Sequence, residues 1–163
     1  MTDPATTATA ATFAAVYVAL YIGHTVGDHW VQTDHQADTK SWAGHTGRLS
    51  CARHVLTLTI TKIVCLVPVV LVLGLPVGAL GLTLGLGLDA ASHYWADRRT
   101  TLRRLAYRLG RDEMYILGTP EHPAHPVADE GDWAPTLGTG AYAMDQSWHI
   151  LWLGVAALII AAI

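Results

Sequence analysis

The chain has 163 residues, 52% of them apolar and only 14% charged, with a net charge of −3 at neutral pH. That balance makes a water-soluble domain the poorer first expectation. The two cysteines, Cys51 and Cys65, lie fourteen residues apart on one predicted helix. At about 1.5 Å per residue they are separated by roughly 21 Å, too far for a disulfide.

In chain order, four stretches approach or exceed the roughly 18 to 20 residues that cross a bilayer: Ala11 to Trp30, Val55 to Leu75, Val77 to Ala96 and Ala141 to Ile163. The residues before the first, Met1 to Ala10, carry no Lys or Arg, so a span is expected there rather than a secretory signal peptide. A loop is expected from Thr33 to Ser50. Pro68 is placed to kink the second span, and Gly74-Leu75-Pro76 to turn the chain into the third. Gly78, Gly81, Gly85 and Gly87 give the third span a small-residue surface for close packing. The connection from Arg98 to Gly140 opens with Arg98, Arg99, Arg103, Arg104, Arg108 and Arg111, spaced as in a basic amphipathic helix facing anionic headgroups. It continues as a loop containing Pro120, Pro123, Pro126 and Pro135.

Nine of the ten Lys and Arg residues lie outside the spans, in the two regions that connect the first span to the second and the third to the fourth. By the positive-inside rule both loops, 33–50 and 98–140, are cytoplasmic and both termini lie outside, in an inner (cytoplasmic) membrane. Trp30, Trp95 and Trp148 fall near the cytoplasmic ends of three spans, as an aromatic belt would. The expected fold is all-α: one domain over residues 1–163, with four transmembrane helices in an antiparallel bundle and an amphipathic cytoplasmic helix. The expected partners are the lipid bilayer and anionic headgroups at the Arg cluster. Nucleic acid is disfavoured, and the oligomeric state is not legible.

Ionisable residues inside apolar segments are costly and point to function. His24 and Asp28, His93 and Asp97, and Asp145 and His149 are each four residues apart, on one helical face; His54 opens the second span. With adjacent spans running in opposite directions, all seven lie at the cytoplasmic ends. The reversed order of Asp145 and His149 matches imidazoles with imidazoles and carboxylates with carboxylates, one turn of about 5.4 Å apart. Neutral imidazole and carboxylate suit zinc, with manganese or iron as alternatives, and the site has room for one metal or for two bridged by carboxylate. An open coordination position would activate water, with Asp97 or Asp145 as general base and nearby Lys or Arg steadying phosphate charge. Lys62, two turns beyond His54, and Asp89, one turn deeper than His93, match in depth and are expected to pair; a phosphate on Lys62 or a ligand role for Asp89 are the alternatives. The loop histidines His29, His35, His45, His122 and His125 are placed outside the site.

His24-Thr25-Val26-Gly27-Asp28 continuing through Gln32 to Lys40, His54 at the head of a span, His93-x-x-x-Asp97 and Asp145-Gln146-x-x-His149 together resemble domain-of-unknown-function family 3307, small membrane proteins of bacteria and phages. The resemblance runs from about Tyr17 to Trp152 and suggests Gln32, Lys40 and Gln146 as secondary site residues. Its motif style is similar to that of predicted membrane-bound metal-dependent hydrolases. The leading expectation is therefore hydrolysis of a phosphoester or lipid headgroup. The alternatives are a non-enzymatic haem or metal-binding protein, since one histidine per span allows bis-His ligation, and a structural accessory membrane protein. A transmembrane carrier is disfavoured by the apolar outer halves of the spans.

Overall fold

The computed structural model describes residues 3–119, 121–122 and 138–163, and the described residues are helical with no strand. The helices are α1 (Pro4–Val26), α2 (Asp34–Thr39), α3 (Gly44–Leu73), α4 (Ala79–Asp97), α5 (Thr100–Arg108), α6 (Asp112–Ile116) and α7 (Gly140–Ala162), and α1 runs on into a π-helical turn, Gly27–Val31. The expected proline-rich loop, with Pro120, Pro123, Pro126 and Pro135, lies outside the described residues, as does His125.

Three helices are long and apolar enough to cross a membrane: Pro4–Val31, Gly44–Leu73 and Gly140–Ala162. The expected third span corresponds to α4, which at 19 residues does not reach the same hydropathy, because its second half carries Asp89, Ser92, His93 and Asp97. The distribution of side chains is inverted relative to a soluble protein. Apolar residues such as Leu71, Val72, Leu80, Leu151 and Leu158 are exposed on the outside, while Lys62, His24, His54, His93 and His149 are among the largest fully buried side chains. An outer surface this apolar requires a nonaqueous surround.

Away from the polar end, Val16, Ala19 and Leu20 of α1, Leu66 of α3 and Leu153, Ala156, Ala157 and Ile160 of α7 form a closed core, with Leu82 and Leu86 of α4 packed against it. Glycines set the closest approaches. A Cβ on Gly23 would lie 2.6 Å from the Lys62 Cα, and one on Gly85 would lie 2.8 Å from the Ala156 carbonyl oxygen. Residue numbers run in opposite senses along both contacts: Gly23 meets Lys62 and Gly27 meets Leu58, while Gly81 meets Ile160 and Gly85 meets Ala156.

The expected loop from Thr33 to Ser50 is largely helical. Thr33 caps α2: its Oγ1 accepts from the Gln36 backbone N–H at 3.2 Å, and Gln36 Oε1 accepts from the Thr33 N–H at 3.0 Å. This reciprocal pair satisfies two amides that the helix start leaves open. α3 then starts at Gly44, about three turns before His54 rather than at it. Gly47, Ser50, Cys51, His54, Leu58, Lys62 and Leu66 are its buried stripe. The stripe is helically periodic, but small and polar through His54, so hydropathy alone passes over its first turns. Pro68 lies inside α3 without ending it, and both cysteines are free.

The Arg-rich segment forms α5, with Leu102 and Ala106 buried and Arg103, Arg104 and Arg108 exposed. Before it, Arg98 Nη1 donates to the Lys40 carbonyl at 2.5 Å and Nη2 donates to the Trp42 carbonyl. Arg98 thus fixes the segment after α2 against the end of α4.

Candidate metal centre

Four helices deliver the seven sequence-derived residues to one place. His24 comes from the last turn of α1, Asp28 from the π turn, His54 from α3, His93 and Asp97 from the end of α4, and Asp145 and His149 from the start of α7. The π turn is a local widening of the helix, a feature often found at functional sites. With the π turn following His24, Asp28 Oδ2 lies 3.6 Å from His24 Nε2.

The tightest group centres on His54, which is fully buried. Its Nε2 lies 3.1 Å from Asp28 Oδ1, 3.2 Å from Asp97 Oδ2 and 3.2 Å from His93 Nε2. His93 Nε2 is in turn 3.2 Å from Asp97 Oδ2 and 3.7 Å from Asp28 Oδ1. The His93 ring stacks on His149 at 3.9 Å between centroids, His24 lies 5.1 Å from His149, and His149 Nε2 is 3.4 Å from Asp145 Oδ2. All seven residues are linked by these contacts.

These close approaches leave several polar atoms without hydrogen bonds. Asp28 Oδ1, Asp97 Oδ2, His149 Nε2, both ring nitrogens of His24 and the Nδ1 atoms of His54 and His93 are buried with no hydrogen-bond partner. Such atoms are uncommon in folded proteins and call for a cause such as an ion. Donors held about 2.0 to 2.2 Å from one ion sit roughly 3 to 3.6 Å from their neighbours. The separations around His54 fall in or close to that range. Three sets of side chains could each hold an ion: His54, His93 and Asp97; Asp28, His93 and His149; and Asp97, Asp145 and His149. The donors are nitrogen and carboxylate oxygen only, a set that could hold a metal ion without selecting which.

Of the two carboxylates expected as general bases, Asp97 borders the cavity but is almost fully buried. Lys40 Nζ holds its Oδ1 at 3.0 Å, while Oδ2 faces both imidazoles. Asp145, with a quarter of its side chain exposed, opens into a cavity of about 550 Å³ whose walls also include Asp28, Lys40, Asp97, Arg99 and Tyr115. Burial pushes the Tyr115 hydroxyl above its usual range, so it remains a donor at neutral pH.

The secondary residues divide. Gln32, with its amide turned to suit both neighbours, accepts from Lys40 Nζ at 3.0 Å and donates to the Asp28 carbonyl at 3.2 Å, so it steadies Lys40. Gln146 donates to Asp145 Oδ2 at 3.4 Å. Lys62 and Asp89 lie deeper and meet each other, Nζ to Oδ2, at 2.6 Å.

Sequence reasoning placed His29 outside the site, yet it lines the cavity with Tyr142. Its Nδ1–H donates to the Thr25 carbonyl at 2.9 Å, which leaves Nε2 to accept from the Tyr142 hydroxyl at 3.0 Å. Arg99, read only as part of a basic run, takes φ 52°, a backbone region that side chains other than glycine seldom adopt. The four-residue step from Thr25 to His29 was legible; the Tyr142 partner was not.

No family model, curated protein or solved structure matches this chain.

Proposed function

We propose that the chain is a four-span membrane protein whose buried His/Asp cluster binds a divalent metal, zinc first among the candidates, and uses it to hydrolyse a phosphoester. The observation that carries this reading is the position of His54 Nε2, about equidistant from Asp28 Oδ1, Asp97 Oδ2 and His93 Nε2. Hydrogen bonding leaves two of these four atoms, Asp28 Oδ1 and Asp97 Oδ2, without a partner; a shared ion would engage all four. The resemblance to family 3307 rests on the same residues and belongs to the same proposal.

The opposed order of the α1–α3 and α4–α7 contacts supports an antiparallel bundle in which α4 serves as the remaining span, its polar half shielded by neighbours. The clustering of Arg residues on α5 supports a cytoplasmic face there. A bound ion would supply Lewis acidity and lower the pKa of a water molecule beside the cavity. Asp145 is the carboxylate turned toward incoming water, while Lys40 and Arg99 are the cations on the cavity wall available to a phosphoryl oxygen. Asp97, with Oδ1 held by Lys40 and Oδ2 turned to His54 and His93, serves in holding the metal and not as a base.

The test is elemental analysis of the detergent-purified protein alongside hydrolysis of a chromogenic phosphodiester. Metal should copurify, and His93→Ala or His149→Ala should lower its content while helicity persists. Asp145→Asn should reduce turnover more than it reduces total metal. A folded protein that takes up no zinc, manganese or iron after reloading would reject the metal centre. A metal-loaded protein inert toward phosphoesters would reject the hydrolytic reading alone.

A further inference from the structure

The seven side chains offer more donors than one ion takes. First-row divalent ions in such sites hold four to six ligand atoms, often with water among them. Around His54, a single ion is already supplied with four protein donors: His54 Nε2, His93 Nε2, Asp28 Oδ1 and Asp97 Oδ2. His24, Asp145 and His149 are left over, and of these Asp145 and His149 face each other. With Asp97 these two form a set whose ligand atoms lie within 4.8 Å of one another, and Asp145 borders the cavity. His149 is 2% exposed, and its Nε2 has no hydrogen-bond partner although it faces Asp145 Oδ2 at 3.4 Å.

We infer that the centre is binuclear: an inner ion on His54, His93, Asp28 and Asp97, and a second ion on Asp145 and His149 that shares Asp97 with the first. The inference rests on the metal-binding reading above and adds a second position to it. The two positions differ in access. Asp28, Asp97 and Asp145 all border the cavity, but the side chains of the inner ligands His54, His93, Asp97 and Asp28 are at most 8% exposed, against a quarter for Asp145. The inner ion is therefore the slow-exchanging one, and the outer ion is the one that meets solvent and substrate.

Charge points the same way. Three carboxylates against Lys40 leave the cluster at −2 with neutral imidazoles, so one divalent ion brings it to neutrality and a second brings it to +2. A site of +2 beside an open cavity favours an anionic ligand such as hydroxide or a phosphoryl group. The binuclear form would thus let an anion bind next to a cluster that is acidic without metal.

The experiment is metal stoichiometry on the full chain in detergent, reloaded with Mn²⁺ and freed of loose ion by gel filtration. Two ions per chain are expected, falling to one after brief exposure to a chelator and to none only after prolonged exposure. Asp145→Asn should bind one ion, a twofold loss, and should lose the fast chelation phase while keeping the slow one. His149→Gln is the second variant if Asp145→Asn does not fold, with the same result expected. One ion per wild-type chain at saturation, released in a single phase, would overturn the second position and leave the metal centre standing. No bound ion at all would reject the metal centre and the second position together.

Discussion

Lys62 and Asp89 are 1% and 2% exposed, and one 2.6 Å contact joins them. Lys62→Met keeps the stem that packs on Gly23 but leaves Asp89 facing an apolar neighbour; Asp89→Leu strands Lys62 in the same way. Removing one partner of a buried pair costs about 3 to 5 kcal/mol, because the remaining charge loses its compensation. Added independently, the two losses would come to about 6 to 10 kcal/mol. The double variant fills the same space with apolar side chains and should fall within about 2 kcal/mol of the parent, so the coupling is at least about 4 kcal/mol. The assay is reversible unfolding in mixed micelles, followed by far-ultraviolet circular dichroism across a double-mutant cycle. Additive single losses would refute the reasoning, since they would mean that each charge is stabilised by something other than its partner.

Two further outcomes follow from the packing and the charge distribution. Gly85→Ala places a Cβ 2.7 Å from Ile160 Cγ1, whereas one on Gly87 meets nothing within 4 Å; the first should destabilise by about 1 to 3 kcal/mol, and the second should be neutral or stabilise by up to about 1 kcal/mol. Equal effects in the same unfolding assay would mean that α4 does not lie on α7 through Gly85. For topology, single cysteines at Thr6 and Ser41, with Cys51 and Cys65 replaced, should differ in intact cells: an impermeant thiol reagent labels Thr6→Cys and spares Ser41→Cys. The reverse pattern would invert the orientation.

What the chain states locally is legible without its tertiary structure. Apolar length announces α1, α3 and α7 because burial in lipid needs nothing beyond composition. The four-residue steps of His24 to Asp28, His93 to Asp97 and Asp145 to His149 come from helix geometry alone. Thr33 and Gln36 also carried a local signal, the reciprocal cap that starts α2, within a stretch whose polarity made it look like a loop. Other features depend on neighbours distant in sequence. Asp97 is held because Lys40, carried on the segment that Arg98 ties down, reaches its Oδ1, while among the described residues no Lys or Arg pairs with Asp145, whose side chain stays a quarter exposed. The π turn at Gly27–Val31 has no sequence period that marks it, and the Tyr142 hydroxyl meets His29 only because α7 packs beside α1. The sequence by itself determined which residues are available and which helical face each occupies, since both follow from short-range spacing. The tertiary structure alone decided which donors approach within one ion's reach and which carboxylate is the most exposed at the cavity, because those distances are set by how four helices pack together.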